Sequence, residues 1–328
     1  MITKSVMAML IGFSFSVVCG IIFIPFLEKI KAKQTISIYL DRAHKNKKGT
    51  PTMGGIIFIL PTIVSIGILL FVNKIHISYT LAIVLFTLVS YFLIGFIDDF
   101  LIIKRKNNIG LTIWQKLIMQ FVIALIFFYL FMKSGNEPLL WVHSLHFKLN
   151  IGFLYGLFIL FVLVASSNAV NITDGLDGLA TGLSFICFIT FGIISWNSGW
   201  LFGFEDIAVL AFIISGSLLG FLIFNINPAK IFMGDTGSLA LGATLGAYAI
   251  MTRHELLLIL IGLVFVVETL SCIIQIMYFK LTKKRFFPMT PIHHTFEKKG
   301  MKENDIVRLF WLIGLISCLI SLVYGVIL

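Results

Sequence analysis

The sequence SYTLAIVLFTLVSYFLIGFIDDFLIIKRK, residues 78–106, contains the feature that decides the fold. Its first twenty residues carry no charge, Asp98 and Asp99 follow, and three consecutive basic residues end the stretch. About 20 apolar residues are what an α-helix needs to cross the hydrocarbon core of a bilayer. The stretch therefore predicts a membrane-spanning helix with an acidic pair near one end and a basic boundary beyond it.

The composition extends this interpretation to the whole chain. Of the 328 residues, 59% are hydrophobic and 12% are charged, and the mean hydropathy is +1.04. Soluble proteins are roughly 45–50% apolar and about 25% charged. The composition excludes a soluble globular protein and leaves no segment for a soluble domain. We therefore expect residues 1–328 to form a single polytopic membrane domain.

Apolar runs that alternate with polar breaks predict about ten transmembrane helices, an all-α integral membrane fold. The predicted spans are 5–28, 54–73, 78–98, 113–133, 151–168, 179–196, 206–224, 236–252, 256–279 and 305–327. The first span lacks a small-residue cleavage site and leads directly into a basic loop, so we interpret it as a span and not as a signal peptide.

The basic residues give the orientation of these helices. Of the 25 Lys and Arg residues, 19 fall in the loops after spans one, three, five, seven and nine. Five fall on the opposite side, and Lys116 lies just inside the fourth span. By the positive-inside rule, the basic loops are cytoplasmic and both termini face outward. The net charge of +10 is concentrated on this face and suits anionic lipid and small anionic substrates better than nucleic acid.

Polar residues cluster at the ends of the predicted helices, and every cluster falls on the cytoplasmic side. Ionisable groups that gather in a membrane protein usually mark a functional site. We therefore expect one composite active site at the cytoplasmic face. Its candidate residues are Asp98, Asp99, Asn168, Asn171, Asp174, Gly175, Asp177, Asp235, His293 and His294.

Each acidic residue also has a structural interpretation. Asp174 and Asp235 precede helices that start at the cytoplasmic face, where a carboxylate can cap free N–H groups, and for these two residues alone both interpretations stay open. Asp98 and Asp99 occupy the predicted C-terminal end of their span, where the helix dipole disfavours negative charge. A functional role therefore fits Asp98 and Asp99 better than a structural one.

Residues 168–178, NAVNITDGLDG, place polar groups at every third position. This spacing aligns them along one side of a helical turn. The glycines leave backbone N–H groups approachable, as phosphate and nucleotide sites often need. The alternative is a hydrophilic connector that ends in a capped helix start. This alternative explains the fixed spacing less well.

Two further segments can bind anions. His293 and His294 follow a basic run and a proline-containing stretch, and imidazole can bind phosphate or transfer a proton. The turn at residues 49–55 follows several cations and can hold either an anionic substrate or lipid headgroups, and both interpretations stay open. Glu268, inside the ninth predicted span, is expected to face protein or a cavity, and its role stays unassigned.

The motifs, taken together and in order, resemble the phospho-N-acetylmuramoyl-pentapeptide transferase family. The resemblance rests on residues 50–55 (TPTMGG), 98–99 (DD), 168–180, 230–238 (KIFMGDTGS) and 291–297 (PIHHTFE). It covers almost the whole chain. It implies ten helices with both ends outside, in the plasma membrane of a bacterium. It also implies a Mg²⁺-dependent transfer of phospho-MurNAc-pentapeptide from UDP-MurNAc-pentapeptide to undecaprenyl phosphate in peptidoglycan biosynthesis, with lipid I and UMP as products.

The resemblance also implies roles for individual residues. Asp235 matches the family's magnesium-binding aspartate, and Asp98 matches the carboxylate proposed to assist the lipid phosphate, with Asp99 beside it. His293 and His294 match its histidine-rich loop. The positions that match substrate-binding residues are Lys48, Thr52, Asn168, Asn171, Asp174, Gly175, Asp177, Asn225 and Phe232. The family further implies an apolar groove for the prenyl chain near span nine and a homodimer.

Two other function classes compete with this interpretation. Relatives that transfer GlcNAc-1-phosphate to polyprenyl phosphate share the acidic motifs, but they differ at the TPTMGG and histidine motifs, where this chain agrees with the muramoyl branch. A secondary transporter or lipid flippase usually has its site near the midplane between repeated halves. The acids here gather at one face and no repeat is visible. A membrane scaffold gives no reason for interfacial carboxylates.

The chain departs from the family at one position, because Thr295 stands where the family usually has a third histidine. We predict that the third imidazole is dispensable or that a hydroxyl substitutes for it. A Thr295→His variant should then turn over substrate at about the wild-type rate in a product-release assay. A greatly increased turnover would contradict this prediction.

Overall fold

The computed structural model describes residues 2–30, 49–105, 110–142, 147–197 and 203–327 of the chain. Most of these residues are helical. In chain order, the elements are α1 (Ile2–Lys29), α2 (Ile56–Phe71), α3 (Tyr79–Arg105), α4 (Ile113–Lys133), β1 (Leu139–Val142), β2 (Phe147–Asn150), α5 (Leu154–Thr173), α6 (Leu179–Asn197), α7 (Glu205–Asn225), α8 (Gly234–Met251), α9 (Leu258–Ile261), α10 (Leu263–Thr282), α11 (Ile292–Lys298), α12 (Glu303–Leu322) and a π-helical turn (Val323–Ile327).

The all-helical membrane fold is confirmed. Eight of the described helices are long and apolar enough to cross a bilayer, namely α1, α3, α4, α5, α6, α7, α10 and α12. Many large apolar side chains on α1, α4, α10 and α12 are exposed at the surface of the bundle, as expected where lipid is the solvent. The chain is therefore a multi-pass membrane protein.

Two of the ten predicted spans correspond to helices outside this set of eight. α2 has only 16 residues, short of the usual length for crossing the hydrocarbon core. α8 is rich in Gly, Ser and Thr, and each of its residues from Thr236 to Met251 is buried. Small residues suit a helix that protein surrounds on all sides, since they let neighbouring backbones approach closely. The count of ten spans stays a prediction.

The central helix α8 packs along α3 on one side and α5 on the other. Its contact with α3 is close because Gly95 has no side chain: a Cβ atom there would lie 2.0 Å from the carbonyl oxygen of Asp235. One turn after Gly95, α3 reaches Asp98 and Asp99. The close approach therefore brings the acidic pair of α3 beside the acidic start of α8.

The observed helix ends correct two predicted boundaries. α3 continues to Arg105, so Asp98 and Asp99 lie well before its last turn, and the expected conflict with the C-terminal dipole does not apply. α5 continues to Thr173, so Asn168 and Asn171 lie on a helix and not in a connector. In both cases the polar residues belong to the helix, where Asp98 and Asp99 are buried and Asn168 is exposed.

The predicted ninth span is not one continuous helix. It breaks at Gly262 between α9 and α10, which leaves backbone carbonyls without helical partners inside the bundle. Such groups need partners from neighbouring helices at membrane depth. Ser317 Oγ donates to the carbonyl of Leu260 at 2.6 Å, and the thiols of Cys187 and Cys318 donate to that of Ile261 at 3.2 and 3.4 Å. These contacts fix where α10 starts.

A small hairpin that the sequence did not predict connects α4 and α5. Its strands β1 and β2 are antiparallel, with Leu139 opposite Asn150 and Val142 opposite Phe147. The Arg253 guanidinium donates to the carbonyl oxygens of Glu137 and Leu139 at 2.9 and 3.1 Å and so attaches the start of the hairpin to the end of α8.

The contact at Gly95 gives a test of the packing. A Gly95→Ala variant should be destabilised by about 1–3 kcal/mol or more, because the added methyl group meets fixed backbone and α3 must move away from α8. The measurement is the melting temperature of the protein in detergent.

Gly67→Ala is the matched control, because a Cβ at Gly67 in α2 would meet nothing within 4 Å. Its melting temperature should stay unchanged or rise slightly, since alanine favours a helix over glycine. Equal melting temperatures for the two variants would contradict the close contact between α3 and α8.

Candidate active site

Three carboxylates meet where α3 crosses the start of α8. Asp98 and Asp99 are buried on α3, and Asp235 is half-buried in the first turn of α8. One oxygen of each lies within 4.8 Å of the others, so the three groups can share one metal ion. The sequence analysis assigned all three to one site, and the structure brings them together.

Asp99 holds the two helices together. One of its oxygens accepts from the Thr236 backbone N–H at 2.9 Å and from the Thr236 hydroxyl at 2.6 Å, and the other accepts from the Asp235 backbone N–H at 3.3 Å. These N–H groups belong to the first turn of α8, where negative charge is favourable. The residue at the N-cap position, Met233, makes no side-chain cap. The cap of α8 is therefore supplied from α3.

The side chain of Asp235 contacts other functional side chains instead of capping its own helix. Its Oδ1 accepts from the Asn171 amide at 2.8 Å, and its Oδ2 lies 2.7 Å from Lys116 Nζ. Asn171 also donates to Ser238 Oγ at 2.9 Å, which fixes the amide on α8. The cap interpretation of Asp235 is wrong, because its oxygens point into the acidic cluster.

Lys116 is the main functional candidate that the sequence analysis missed. Besides Asp235, its Nζ contacts Asp98 Oδ1 at 3.1 Å, and the same oxygen accepts from the Leu111 N–H at 2.7 Å. The sequence did carry a signal, since an ionisable residue inside an apolar span is itself a sign of function. Its position near the start of the fourth predicted span also fits a boundary charge, which hides this signal.

Asp174 lies after α5, close to the three clustered acids. Burial raises the pKa of its carboxyl well above the usual range, and the negative charges of Asp235 and Asp99 raise it further. The Gly234 N–H opposes this shift as a hydrogen-bond donor. Asp174 therefore binds a proton more readily than an exposed aspartate does. It does not cap α6, which begins five residues later.

Asp177 belongs to a second polar group near the acidic cluster. Its Oδ2 accepts from the Asn227 amide at 3.0 Å and from the Ala229 N–H at 3.1 Å. Glu303 at the start of α12 accepts from the Asp177 N–H at 2.8 Å and from Asn227 at 3.1 Å. Glu303 thus positions the Asp177 loop, a role that the sequence did not suggest because α12 is far away along the chain.

Asn225 is buried, and its side chain is used within the protein. Its amide donates to the Ile231 carbonyl at 2.9 Å, and its oxygen accepts from the Thr181 hydroxyl at 2.6 Å. These bonds shape the segment that leads to Phe232, which is half-exposed. Asn225 therefore acts on this region through the backbone that it holds.

The predicted anion-binding turn packs against the same segment. Gly54 N–H donates to the Phe232 carbonyl at 2.9 Å, and Phe232 N–H donates to the Pro51 carbonyl at 2.9 Å. Thr52 is 3% exposed, and its hydroxyl has no hydrogen-bond partner among the described residues. Thr52 Oγ1 lies close to Gly234, beside Asp99. Lys48, the remaining candidate of this segment, lies outside the described residues.

The histidine pair is on α11, with one ring deeper than the other. His293 is fully buried, its Nδ1 lies 3.1 Å from Glu268 Oε2, and its Nε2 lies against Gly175. His294 is 9% exposed, and its Nδ1 lies 2.6 Å from Glu297 Oε2. The expectation that Glu268 faces protein is confirmed, and its partner is His293.

Thr295, which replaces the usual third histidine, holds the preceding loop. Its hydroxyl donates to the Met289 carbonyl in a short hydrogen bond and accepts from the Met289 N–H at 3.4 Å. The side chain is buried at 6% exposure. A hydroxyl at position 295 thus stabilises the turn before the histidine pair.

An apolar groove of about 690 Å³ lies beside the acidic cluster, between α4, α5 and α10. Trp114, Leu117 and Phe161 are among its lining residues, and Asn168 lines it as well. Asn168 is exposed, and its amide donates to the Val164 carbonyl at 2.8 Å. Thr269 and Ile273 of α10, which belongs to the predicted ninth span, lie in its wall. That this groove takes a prenyl chain stays a prediction.

Comparison with known proteins identifies the family. Residues 81–253 match the profile of glycosyl transferase family 4, and residues 47–59 match signature 1 of phospho-N-acetylmuramoyl-pentapeptide-transferase. A curated protein of that name from a Geobacillus species is 44% identical over 318 residues, 97% of this chain and 96% of its own length. The chain belongs to the phospho-N-acetylmuramoyl-pentapeptide-transferase family.

Other members of the phospho-N-acetylmuramoyl-pentapeptide-transferase family match over similar lengths. The protein of this name from Oceanobacillus iheyensis is 42% identical over 322 residues, 98% of this chain and 97% of its own. That from Bacillus licheniformis is 43% identical over 313 residues, 95% of each chain. The family match confirms the resemblance that the motifs suggested.

The buried pair of Glu268 and His293 predicts that removing the Glu268 carboxylate costs more stability than removing the carboxylate beside His294. A Glu268→Ala variant should lose about 1–3 kcal/mol, because it leaves the His293 ring buried without the carboxylate that lies 3.1 Å from its Nδ1. The measurement is again the melting temperature in detergent.

Glu297→Ala is the matched comparison at the other histidine, where both side chains are partly exposed and water can replace the carboxylate. It should cost much less than Glu268→Ala. If both variants lost the same small amount, the buried pair would not contribute as described.

Proposed function

We propose that this protein transfers phospho-MurNAc-pentapeptide from UDP-MurNAc-pentapeptide to undecaprenyl phosphate and releases UMP. An oxygen of the lipid phosphate attacks the phosphorus attached to the sugar, and the bond from that phosphorus to UMP breaks. The products are undecaprenyl-pyrophosphoryl-MurNAc-pentapeptide, which is lipid I, and UMP. Support comes from family membership and from the names of the relatives, which are phospho-N-acetylmuramoyl-pentapeptide-transferases.

The observation that carries the proposal is that the groove and the acidic cluster share two helices. On α4, Trp114 and Leu117 line the groove, and Lys116 between them contacts the carboxylates. On α5, Asn168 lines the groove, and Asn171 one turn later contacts Asp235. A prenyl chain in the groove would therefore direct its phosphate to the acidic cluster.

The residues of the cluster fit a magnesium ion. Three carboxylates within 4.8 Å offer the hard oxygen ligands that Mg²⁺ prefers, and Asp235, with 23% of its side chain exposed, is open to solvent and substrate. The unpartnered hydroxyl of Thr52 beside Asp99 adds a polar group that faces this site. We assign Asp235 as the metal ligand, with Asp98 and Asp99 beside it. A bound divalent ion would offset the repulsion between the two phosphate substrates and stabilise charge on the transferred group.

The protein's own residues position the reactants around this centre. Asp98 contacts Lys116, whose neighbours on α4 line the groove, and through this ammonium it would orient the lipid phosphate. A lipid monophosphate is already largely ionised near neutral pH, so orientation and electrostatics serve the reaction without removal of a proton by Asp98. His293 lies against Gly175 and His294 packs against His293, and we assign these imidazoles to the phosphate-binding region.

The nucleotide would occupy the region between the acidic cluster of Asp98, Asp99 and Asp235 and the polar group around Asp177. The half-exposed Phe232 offers an aromatic face for the uracil, and Gly175 and Asp177 offer backbone and carboxylate contacts beside it. Asn225 and Glu303 hold these elements in place. We assign Lys48 and Thr52 to the binding of the anionic substrate, as the family resemblance implies.

The same proposal includes the topology. Ten spans in a single polytopic domain, with both termini outside, place the acidic cluster at the cytoplasmic face, where nucleotide substrates are made. The excess of basic residues in the loops on that side supports this orientation. A homodimer, which the family resemblance implies, stays a prediction.

The test is UMP release by the purified protein in detergent with UDP-MurNAc-pentapeptide, undecaprenyl phosphate and Mg²⁺. We expect release to need all three, and an Asp235→Ala variant to be at least about 100-fold slower, because it lacks the metal ligand. Asp305→Asn is the matched control: this exposed aspartate on α12 pairs loosely with Arg308 at 3.8 Å, and the variant should keep the wild-type rate.

Two other outcomes would replace the proposal. Activity with UDP-GlcNAc in place of UDP-MurNAc-pentapeptide would assign the chain to the GlcNAc-1-phosphate branch. No UMP from either nucleotide, with substrate accumulation in sealed vesicles, would indicate a transporter.

A further inference from the structure

The ammonium group of Lys116 occupies the space between two of the carboxylates assigned to the metal site. Its Nζ lies 2.7 Å from Asp235 Oδ2 and 3.1 Å from Asp98 Oδ1. Both distances are those of charge-assisted hydrogen bonds. A divalent ion held by Asp235 and its neighbours would draw on the same carboxylates at shorter distances. Lys116 and the ion therefore compete for the same ligands.

The other contacts of these carboxylates come from groups with little freedom to move. Asp98 accepts from the backbone of Leu111, and Asp235 accepts from Asn171, which Ser238 also holds. Asp99 is engaged with the first turn of α8. Lys116 differs from these groups, because its charge ends a flexible four-carbon stem and 27% of its side chain is exposed.

We infer that Lys116 is a built-in counter-cation of the acidic cluster, which a divalent ion displaces when it binds to Asp235. Without either cation, three carboxylates within 4.8 Å would repel one another in a partly buried site. With both cations at the same oxygens, the ammonium and the ion would repel instead. The inference rests on the proposed assignment of magnesium to this cluster.

Displacement gives Lys116 a second role in the transfer. Its stem starts on α4 between Trp114 and Leu117, at the edge of the groove, so the released ammonium stays beside the place where a lipid phosphate would enter. An anion bound there would hold the ammonium away from the carboxylates and so favour the metal. By thermodynamic linkage, the metal would favour the anion to the same degree. Lys116 would thus couple metal binding to phosphate binding.

The test is the affinity for Mn²⁺, measured without substrates from the loss of the electron paramagnetic resonance signal of hydrated Mn²⁺. A Lys116→Met variant keeps the length of the side chain and lacks its charge. We expect it to bind Mn²⁺ at least about fivefold more tightly than wild type, the lower end of typical coupling between two ligands. Lys133→Met, at the exposed other end of the same helix, is the matched control and should bind Mn²⁺ as wild type does.

Lys116→Gln serves as a second variant if the methionine variant does not give a folded protein, and it should also bind Mn²⁺ more tightly. A melting temperature that rises more on Mn²⁺ addition in the variant than in wild type would support the same conclusion.

The outcomes separate this inference from the metal assignment. Equal or weaker Mn²⁺ binding in both Lys116 variants would overturn the inference, and loss of that binding in Asp235→Asn would leave the metal assignment standing. No Mn²⁺ binding by any form of the protein would overturn both.

Discussion

The packing of the central helices depends on one electrostatic constraint: several carboxylates must be held close together at the end of an apolar helix bundle. Like charges in a poorly solvated region repel, and each loses hydration. The protein offsets this cost in three ways: the N-terminal turn of α8 binds Asp99, the Asn171 amide binds Asp235, and Lys116 bridges Asp235 and Asp98. Each solution needs a different helix at a fixed distance, so the site constrains the packing of α3, α4, α5 and α8.

This constraint explains why the centre of the bundle is made of small residues. Gly95 lets α3 approach the backbone of Asp235, and Gly234 adopts a φ of +73°, with no room for a side chain between Asp99 and Thr52. α8 carries few large apolar side chains for the same reason, and it lies within protein and not against lipid. The helix that contributes Asp235 is thus not among the eight described helices that are long and apolar enough to cross a membrane.

Much of this arrangement could be predicted from the sequence, because membrane-crossing helices and their polar ends leave strong local signals. The apolar run before Asp98 and the three-residue spacing from Asn168 to Asp177 located the site. The rest depends on contacts between distant segments. The Lys116 contact with Asp235 joins residues 119 positions apart, and the Glu303 contact with Asp177 joins residues 126 positions apart. The break at Gly262 could not be predicted either, because it depends on side chains of α6 and α12, far away along the chain, that bond to the carbonyls of Ile261 and Leu260.

In the proposed arrangement, the carboxylates of α3 and α8 hold a divalent ion, and Lys116 occupies the site in its absence. The most direct measurement is an anomalous difference map from crystals of the protein soaked with Mn²⁺. We expect one peak about 2.2 Å from an Asp235 oxygen, with the Lys116 ammonium moved away from that carboxylate. A fully occupied Mn²⁺ site elsewhere in the protein, with Lys116 still between Asp98 and Asp235, would contradict it.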